Sequence, residues 1–151
     1  MRGDGMMVLK GNPVIKGKAS GPAMVTKMPM NFTASFTKPK NIIPAWRSLV
    51  QDSNHDLFNK NIRDTVFVYP ATIGSTYTGM VLLELMYRGV APAAIIVQNA
   101  DPLMVAGPIL AEVWFEKGIP VVEYTNEDIF DKIKTGDQVE VNGDTGEITV
   151  L

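Results

Sequence analysis

Residues 65–89, TVFVYPATIGSTYTGMVLLELMYRG, constrain the fold more than any other stretch of the chain. Val66, Phe67 and Val68 are consecutive, which suits a strand covered on both faces. Pro70 ends it. A turn holding Gly74, Ser75 and Thr76 follows, and from Ser75 onward the pattern is helical. Met80, Leu83 and Met86 fall at three-residue steps, Val81, Leu82 and Leu85 widen the apolar stripe, and Gly89 is a good stop. Residues 94–97 (AIIV) read as a second buried strand. Asp101 and Pro102 lead into a second helix over 103–117, ended by Gly118, and residues 120–124 (PVVEY) form a third strand. This β-α-β-α-β run implies parallel pairing through right-handed crossovers.

The ends of the chain read differently. Residues 7–10 and 14–16 are short apolar stretches around Gly11, Asn12 and Pro13. Residues 23–26 make a plausible strand entered through Gly21 and Pro22. A short helix over 127–134, capped by Thr125 or Asn126, precedes a tail over 135–151 that reads as a hairpin. In that tail Val139 and Val141 alternate with polar residues, as do Ile148 and Val150, and 142–146 carry the turn. The flanking strands are expected to form a separate antiparallel layer, giving an α/β chain of β/β/α architecture. Residues 28–61 are irregular, with Pro29, Pro39 and Pro44 and room for a short helix over 42–50 carrying Trp46. A long, weakly patterned segment in a small domain is usually functional or a contact surface, and Phe32, Phe36, Trp46 and Phe58 argue against a flexible linker.

Composition narrows the function classes. The 151 residues fit one domain with a sizeable core, and 46% hydrophobic with 20% charged residues argues against disorder. A formal charge of −2 gives no overall electrostatic footprint for nucleic acid. There is no cysteine, so the chain supplies no disulfide and no thiolate to zinc or to an iron–sulfur cluster. No segment is apolar and long enough for a signal peptide or a membrane span, and a cytoplasmic location is expected.

Residue by residue, the chemistry is open. The turn Thr72-Ile73-Gly74-Ser75-Thr76 offers hydroxyls and backbone donors at a helix start, where an anion is favoured or a serine can act on a proton. The same residues also suit an ordinary N-cap, and from spacing alone that reading is favoured. Neither GxxxxGK[ST] nor G-x-S-x-G occurs. His55, the one histidine, sits among Asp52, Asn54 and Asp56 and reads as a solvated surface residue. Asp101 either faces a cleft at a strand end or simply opens a helix before Pro102. Trp46 and Trp114 read as packing or interface residues. Met28, Met30 and Met80 read as fillers of core or interface gaps.

Taken in order, several of these pieces resemble the small subunit, or swivelling domain, of aconitase X-type dehydratases. They are Gly17-Lys18-Ala19-Ser20-Gly21, the stretch GSTYTGMVLLELMYRGVAPAAII, Asp101-Pro102, residues 105–112 (VAGPILAE), Gly118-Ile119-Pro120-Val121-Val122 and the terminal TGDQVEVNGDTGEITV. The resemblance covers most of the chain outside 28–61, and the order of the pieces is more specific than any one of them. It implies that residues 1–151 form one swivelling β/β/α domain, with 28–61 as an irregular insert or partner-contact segment. It implies a heteromeric hydro-lyase, unlikely to be active without its larger, cysteine-bearing subunit. That subunit would hold an iron–sulfur cluster whose iron acts as Lewis acid on the leaving hydroxyl. In archaea such a subunit belongs to a dehydratase of mevalonate 5-phosphate, in isoprenoid biosynthesis. The resemblance also implies that Ser75 is the proton acceptor, with Gly74 and Thr76 shaping the substrate site.

Two departures stand out. The family usually has an arginine just before the turn glycine, and here Ile73 stands there. Its GGVDP-like and HPL-like segments are not recognisable in 31–60, where Asn54-His55-Asp56-Leu57 is the nearest remnant of the latter. Another hydroxy acid, such as a 3-hydroxyproline, therefore stays open as substrate. So does a non-catalytic swivelling or regulatory domain. Residues 17–25 (GKASGPAMV) and the tail also resemble phosphohistidine carrier domains, but those need a histidine where Ser75 stands.

Overall fold

The computed structural model describes residues 5–42, 47–74, 76–116 and 118–151. Among them are eight strands: β1 (Met7–Lys10), β2 (Asn12–Ile15), β3 (Lys18–Val25), β4 (Val66–Tyr69), β5 (Ala94–Val97), β6 (Val121–Glu123), β7 (Gln138–Asn142) and β8 (Glu147–Val150). The helices are α1 (Phe32–Phe36), α2 (Pro39–Ile42), α3 (Thr78–Tyr87), α4 (Pro102–Phe115) and α5 (Ile129–Lys132).

Hydrogen bonding joins the strands in the order β1-β8-β7-β3-β4-β5-β6-β2. The pivot is β3. Its first half pairs antiparallel with β7, from Lys18 against Asn142 to Pro22 against Gln138. Its second half pairs parallel with β4, from Ala23 against Val66 to Val25 against Val68. Proline lacks an N–H and glycine packs no side chain, so Gly21 and Pro22 mark the point where the strand changes partners. The result is two stacked sheets that share one strand. Between them lies an apolar layer of Val66, Val68, Ile96, Val139, Ile148 and their neighbours. On the other face of the parallel strands, Phe67, Tyr69, Ile95 and Val97 meet Leu82, Leu85 and Met104 from the helices. Every residue of β4 and β5 is buried, as continuous apolar runs require when both faces are covered. Burying each such side chain stabilises the fold by about 1.5–3 kcal/mol.

The β/β/α architecture matches expectation, with differences in detail. β2 does not join the antiparallel layer with β1. It pairs antiparallel with β6 at the edge of the parallel sheet, Asn12 against Glu123. β3 begins at Lys18, five residues before the expected start, because β7 gives its first half a partner that lies far away in sequence. α3 opens at Thr78 rather than Ser75. Met80 lies on its outer face, 61% exposed, and the buried side is carried by Val81, Leu82, Leu85 and Met86. Leu83 is buried as well, so Met80 is the one member of the expected stripe that points outward. α4 stops at Phe115 with Glu116 in the left-handed region, before Gly118. The helix expected over 127–134 is a single turn, Ile129–Lys132, preceded by Asn126, whose Oδ1 accepts from the Asp128 amide at 3.0 Å.

Residues 28–61 hold more order than their pattern suggests. Asn31 caps α1, its Oδ1 accepting from the Ala34 amide at 3.0 Å. Phe32 and Phe36 are buried, and Phe32 meets Tyr69 edge to face at 5.9 Å between ring centroids. Of the helix expected over 42–50, Ile42 ends α2, no helix runs over 47–50, where Leu49 bridges to Asn61 instead, and 43–46, with Trp46, lie outside the described residues.

Candidate functional site

The parallel strands β4 and β5 end at the same edge where α3 and α4 begin. In open α/β sheets that edge is where ligands bind. The turn between β4 and α3 is held there by a second, local pairing. The Met30 amide donates to Ala71 O at 2.9 Å, and the Ile73 amide donates to Met30 O at 3.0 Å. Gly74 follows with φ +99°, and a Cβ there would lie 2.5 Å from the Asn31 carboxamide nitrogen. Only glycine takes that conformation without strain, and only glycine leaves room for Asn31. Asn31 thus caps α1 and backs the turn, a double role that sequence did not reveal, although asparagine ahead of a short helical run is a recognisable cap.

Of the three residues expected to form the site, Gly74 and Thr76 are exposed at this edge, and Ser75 lies outside the described residues. Tyr77, at the N-cap of α3, makes no side-chain capping bond. The Tyr77 side chain thus does not cap the positive end of α3's dipole. Beneath the turn the Tyr69 hydroxyl shares a hydrogen bond with Thr72 Oγ1 at 3.3 Å. Burial pushes the Tyr69 phenol well above its ordinary value of 10.0. It stays protonated at neutral pH and serves to position Thr72.

Asp101 is occupied as a cap. Its Oδ1 accepts from the Leu103 amide at 2.7 Å, with Pro102 opening α4. His55 is not a surface residue. It is 6% exposed, its Nδ1 lies 3.1 Å from the Leu57 amide, and its Nε2 lies 3.2 Å from Pro29 O. Nδ1 also lies 3.1 Å from Asp56 Oδ1, so the ring is held between backbone groups and a carboxylate. His55 thereby ties 55–57 to the backbone just before Met30, which no local pattern could show. The methionines divide: Met30 is fully buried under the turn, whereas Met28 and Met80 are exposed.

A shallow cavity of ≈ 550 Å³ opens beside Pro70 and Gln98 at the same edge. Lys27 lines it, but so do Glu127, Asp128 and Asp131. A hydrogen bond from Lys132, 2.8 Å away, holds the Asp128 carboxyl below its ordinary value. Even with Asp128 paired to Lys132, Glu127 and Asp131 outnumber Lys27, which does not favour an anionic ligand in this cavity alone. Among the described residues no three His, Cys, Asp or Glu side chains are grouped to hold a metal ion. With no cysteine either, the chain fits no iron–sulfur cluster of its own.

Comparison with known proteins gives these features a context. The aconitase X swivel domain family matches residues 8–150. The phosphomevalonate dehydratase small subunit of Methanocella arvoryzae is 34% identical over 93% of this chain and 96% of its own length. That of Thermococcus gammatolerans is 34% identical over 96% of this chain and 98% of its own. The crystal structure of Thermococcus kodakaraensis aconitase X in its holo-form superposes with a TM-score of 0.81 at 30% identity, covering 96% of this chain and 98% of the matched one.

Proposed function

The chain belongs to the aconitase X swivel domain family, and from that premise we propose that it is the small subunit of a dehydratase acting on mevalonate 5-phosphate. The observation that carries the reading is the turn. Gly74, in a conformation reserved for glycine and backed by Asn31, and the exposed Thr76 lie just before α3 at the ligand edge of the sheet.

Dehydration of a β-hydroxy acid breaks a C–H bond and a C–OH bond and forms a C=C bond, releasing water. Ser75 Oγ is the proposed proton acceptor, and Gly74 and Thr76 shape its surroundings. A serine hydroxyl is a weak base, so its charged form needs oriented N–H donors. The first turn of α3 is the nearest source in this chain. The remaining donors, and the cations that meet the substrate's phosphate and carboxylate, come from a larger subunit. Ile73 is exposed and apolar, and the neighbouring cavity is acidic, so this chain brings few cations of its own. The iron–sulfur cluster is placed in that larger, cysteine-bearing subunit, and the complex in the cytoplasm. Among the described residues no helix is long and apolar enough to cross a membrane.

The test is turnover of the complex reconstituted with the larger aconitase X chain of the same organism. With mevalonate 5-phosphate, Ser75→Ala should lower kcat at least 1,000-fold while the two subunits still co-elute. Wild-type-like turnover of Ser75→Ala would remove the serine from the mechanism. If the native complex ignores mevalonate 5-phosphate but dehydrates 3-hydroxyproline, the substrate assignment is wrong. Ile73, standing where a phosphate- or carboxylate-binding cation is usual in the family, gives that second reading its basis.

A further inference from the structure

α4 is apolar all the way round. Its fourteen residues, PLMVAGPILAEVWF, include one charge, Glu112, and Lys16 binds that carboxylate at 2.9 Å. Met104, Gly107, Pro108 and Ala111 face inward. The outward side carries Leu103, Ala106, Ile109, Val113 and Trp114, with Val113 70% and Trp114 62% exposed. A helix that is apolar on every face belongs in an interior, and this one lies on a surface.

α3 extends the same face. Gly79 and Gly107 bring the two helices into backbone contact, and Tyr77, Met80 and Tyr87 are exposed on α3. With Ile73 from the turn, these side chains leave a broad apolar face open to solvent, of the kind that marks an interaction site. The face is also continuous with the candidate site. Ile73 and Tyr77 flank the 74–76 turn, and Leu103 lies in the first turn of α4, its carbonyl against Gly79.

We propose that the outer face of α3 and α4 is the surface on which the larger subunit docks, gripping the helix layer while it closes over the turn. This rests on the two-subunit reading above. That reading requires a partner reaching residues 74–76, and the apolar face begins there and runs down both helices. Such a partner would present a complementary apolar surface, since Glu84 and Glu112 near the rim of the face are each already paired with a cation.

The experiment co-expresses the chain with the larger aconitase X subunit of its source organism and measures association by light scattering after size exclusion. The double variant Ile109→Glu/Val113→Glu should raise the dissociation constant at least 100-fold. Met6→Glu/Val8→Glu, at exposed positions on the opposite sheet, should leave it unchanged. Free variants should keep the wild-type far-ultraviolet spectrum. Should the double variant misfold, hydrogen exchange of the wild-type complex decides: residues 102–115 gain protection if the proposal holds and gain none if it fails. Wild-type affinity of the double variant, or loss of self-association with the heteromer intact, overturns the docking face alone. A wild-type complex that protects 102–115 but does not dehydrate mevalonate 5-phosphate overturns the functional reading alone.

Discussion

Replacing Gly107 by alanine tests whether the α3–α4 contact is as close as it looks. A Cβ at position 107 would lie 2.3 Å from Gly79 O and 3.1 Å from Gly79 C. Both are backbone atoms, so no side chain can swing away. The helices would have to part by about 1 Å, enough to forfeit a quarter to a half of the attraction along their contact. Overpacking of this kind costs about 1–3 kcal/mol. Against it stands the helix preference of alanine over glycine, about 1 kcal/mol in favour of the variant. The steric cost should win, because the clash is with main chain, leaving Gly107→Ala less stable by about 2 kcal/mol. For a chain of this size that is a fall in Tm of roughly 4–8 °C. Thermal unfolding of the free chain by circular dichroism reads it. Gly118→Ala, where a new Cβ meets nothing nearer than 3.9 Å, should be neutral. A Tm for Gly107→Ala equal to or above wild type would refute the close-approach argument, since helix propensity would then have prevailed unopposed.

Two further outcomes follow from buried polar groups. His55→Ala strands the Leu57 amide and the Pro29 carbonyl, and should cost about 2–4 kcal/mol in urea unfolding at neutral pH. A loss below 1 kcal/mol would show that His55 is dispensable packing. Tyr69 should make the chain sensitive to alkali. Its native value is raised, so its contribution is fully present below the unfolded value near 10 and declines as pH climbs from there toward the native one. Up to about 1.4 kcal/mol per pH unit is at stake. Tyr69→Phe should therefore lose stability less steeply than wild type between pH 10 and 11.5. Parallel curves would mean that Tyr69 ionises as readily folded as unfolded.

What could be read from sequence was what neighbouring residues decide together. β4 and β5 declare themselves through unbroken apolar runs, and the hairpin of β7 and β8 through alternating valines around Asn142-Gly143-Asp144. Where a distant partner decides, sequence was mute. His55 looks solvated among polar neighbours until the Pro29 carbonyl covers it. β2 looks like a companion of β1 until Glu123 and Val122 claim it for the other sheet. The turn at Gly74 was visible as a helix entrance, but the start of α3 was placed three residues early, because serine and threonine signal a cap wherever they stand before an apolar stripe. Asn31, which caps α1 and backs that turn, went unmarked within the irregular 28–61 segment.

The pairing of β1 with β8 and of β2 with β6 has a consequence for synthesis. A ribosome releases Met7 early, yet its partner Val150 emerges almost last, and Asn12 waits for Glu123. The first strands therefore leave the exit tunnel as unpaired edges and stay so until translation is nearly complete. Such long-range closure is slow and leaves apolar strand surface exposed meanwhile. Nascent chains stalled before residue 138 should be held by chaperones or degraded, so that premature termination yields no partial product able to occupy a binding partner.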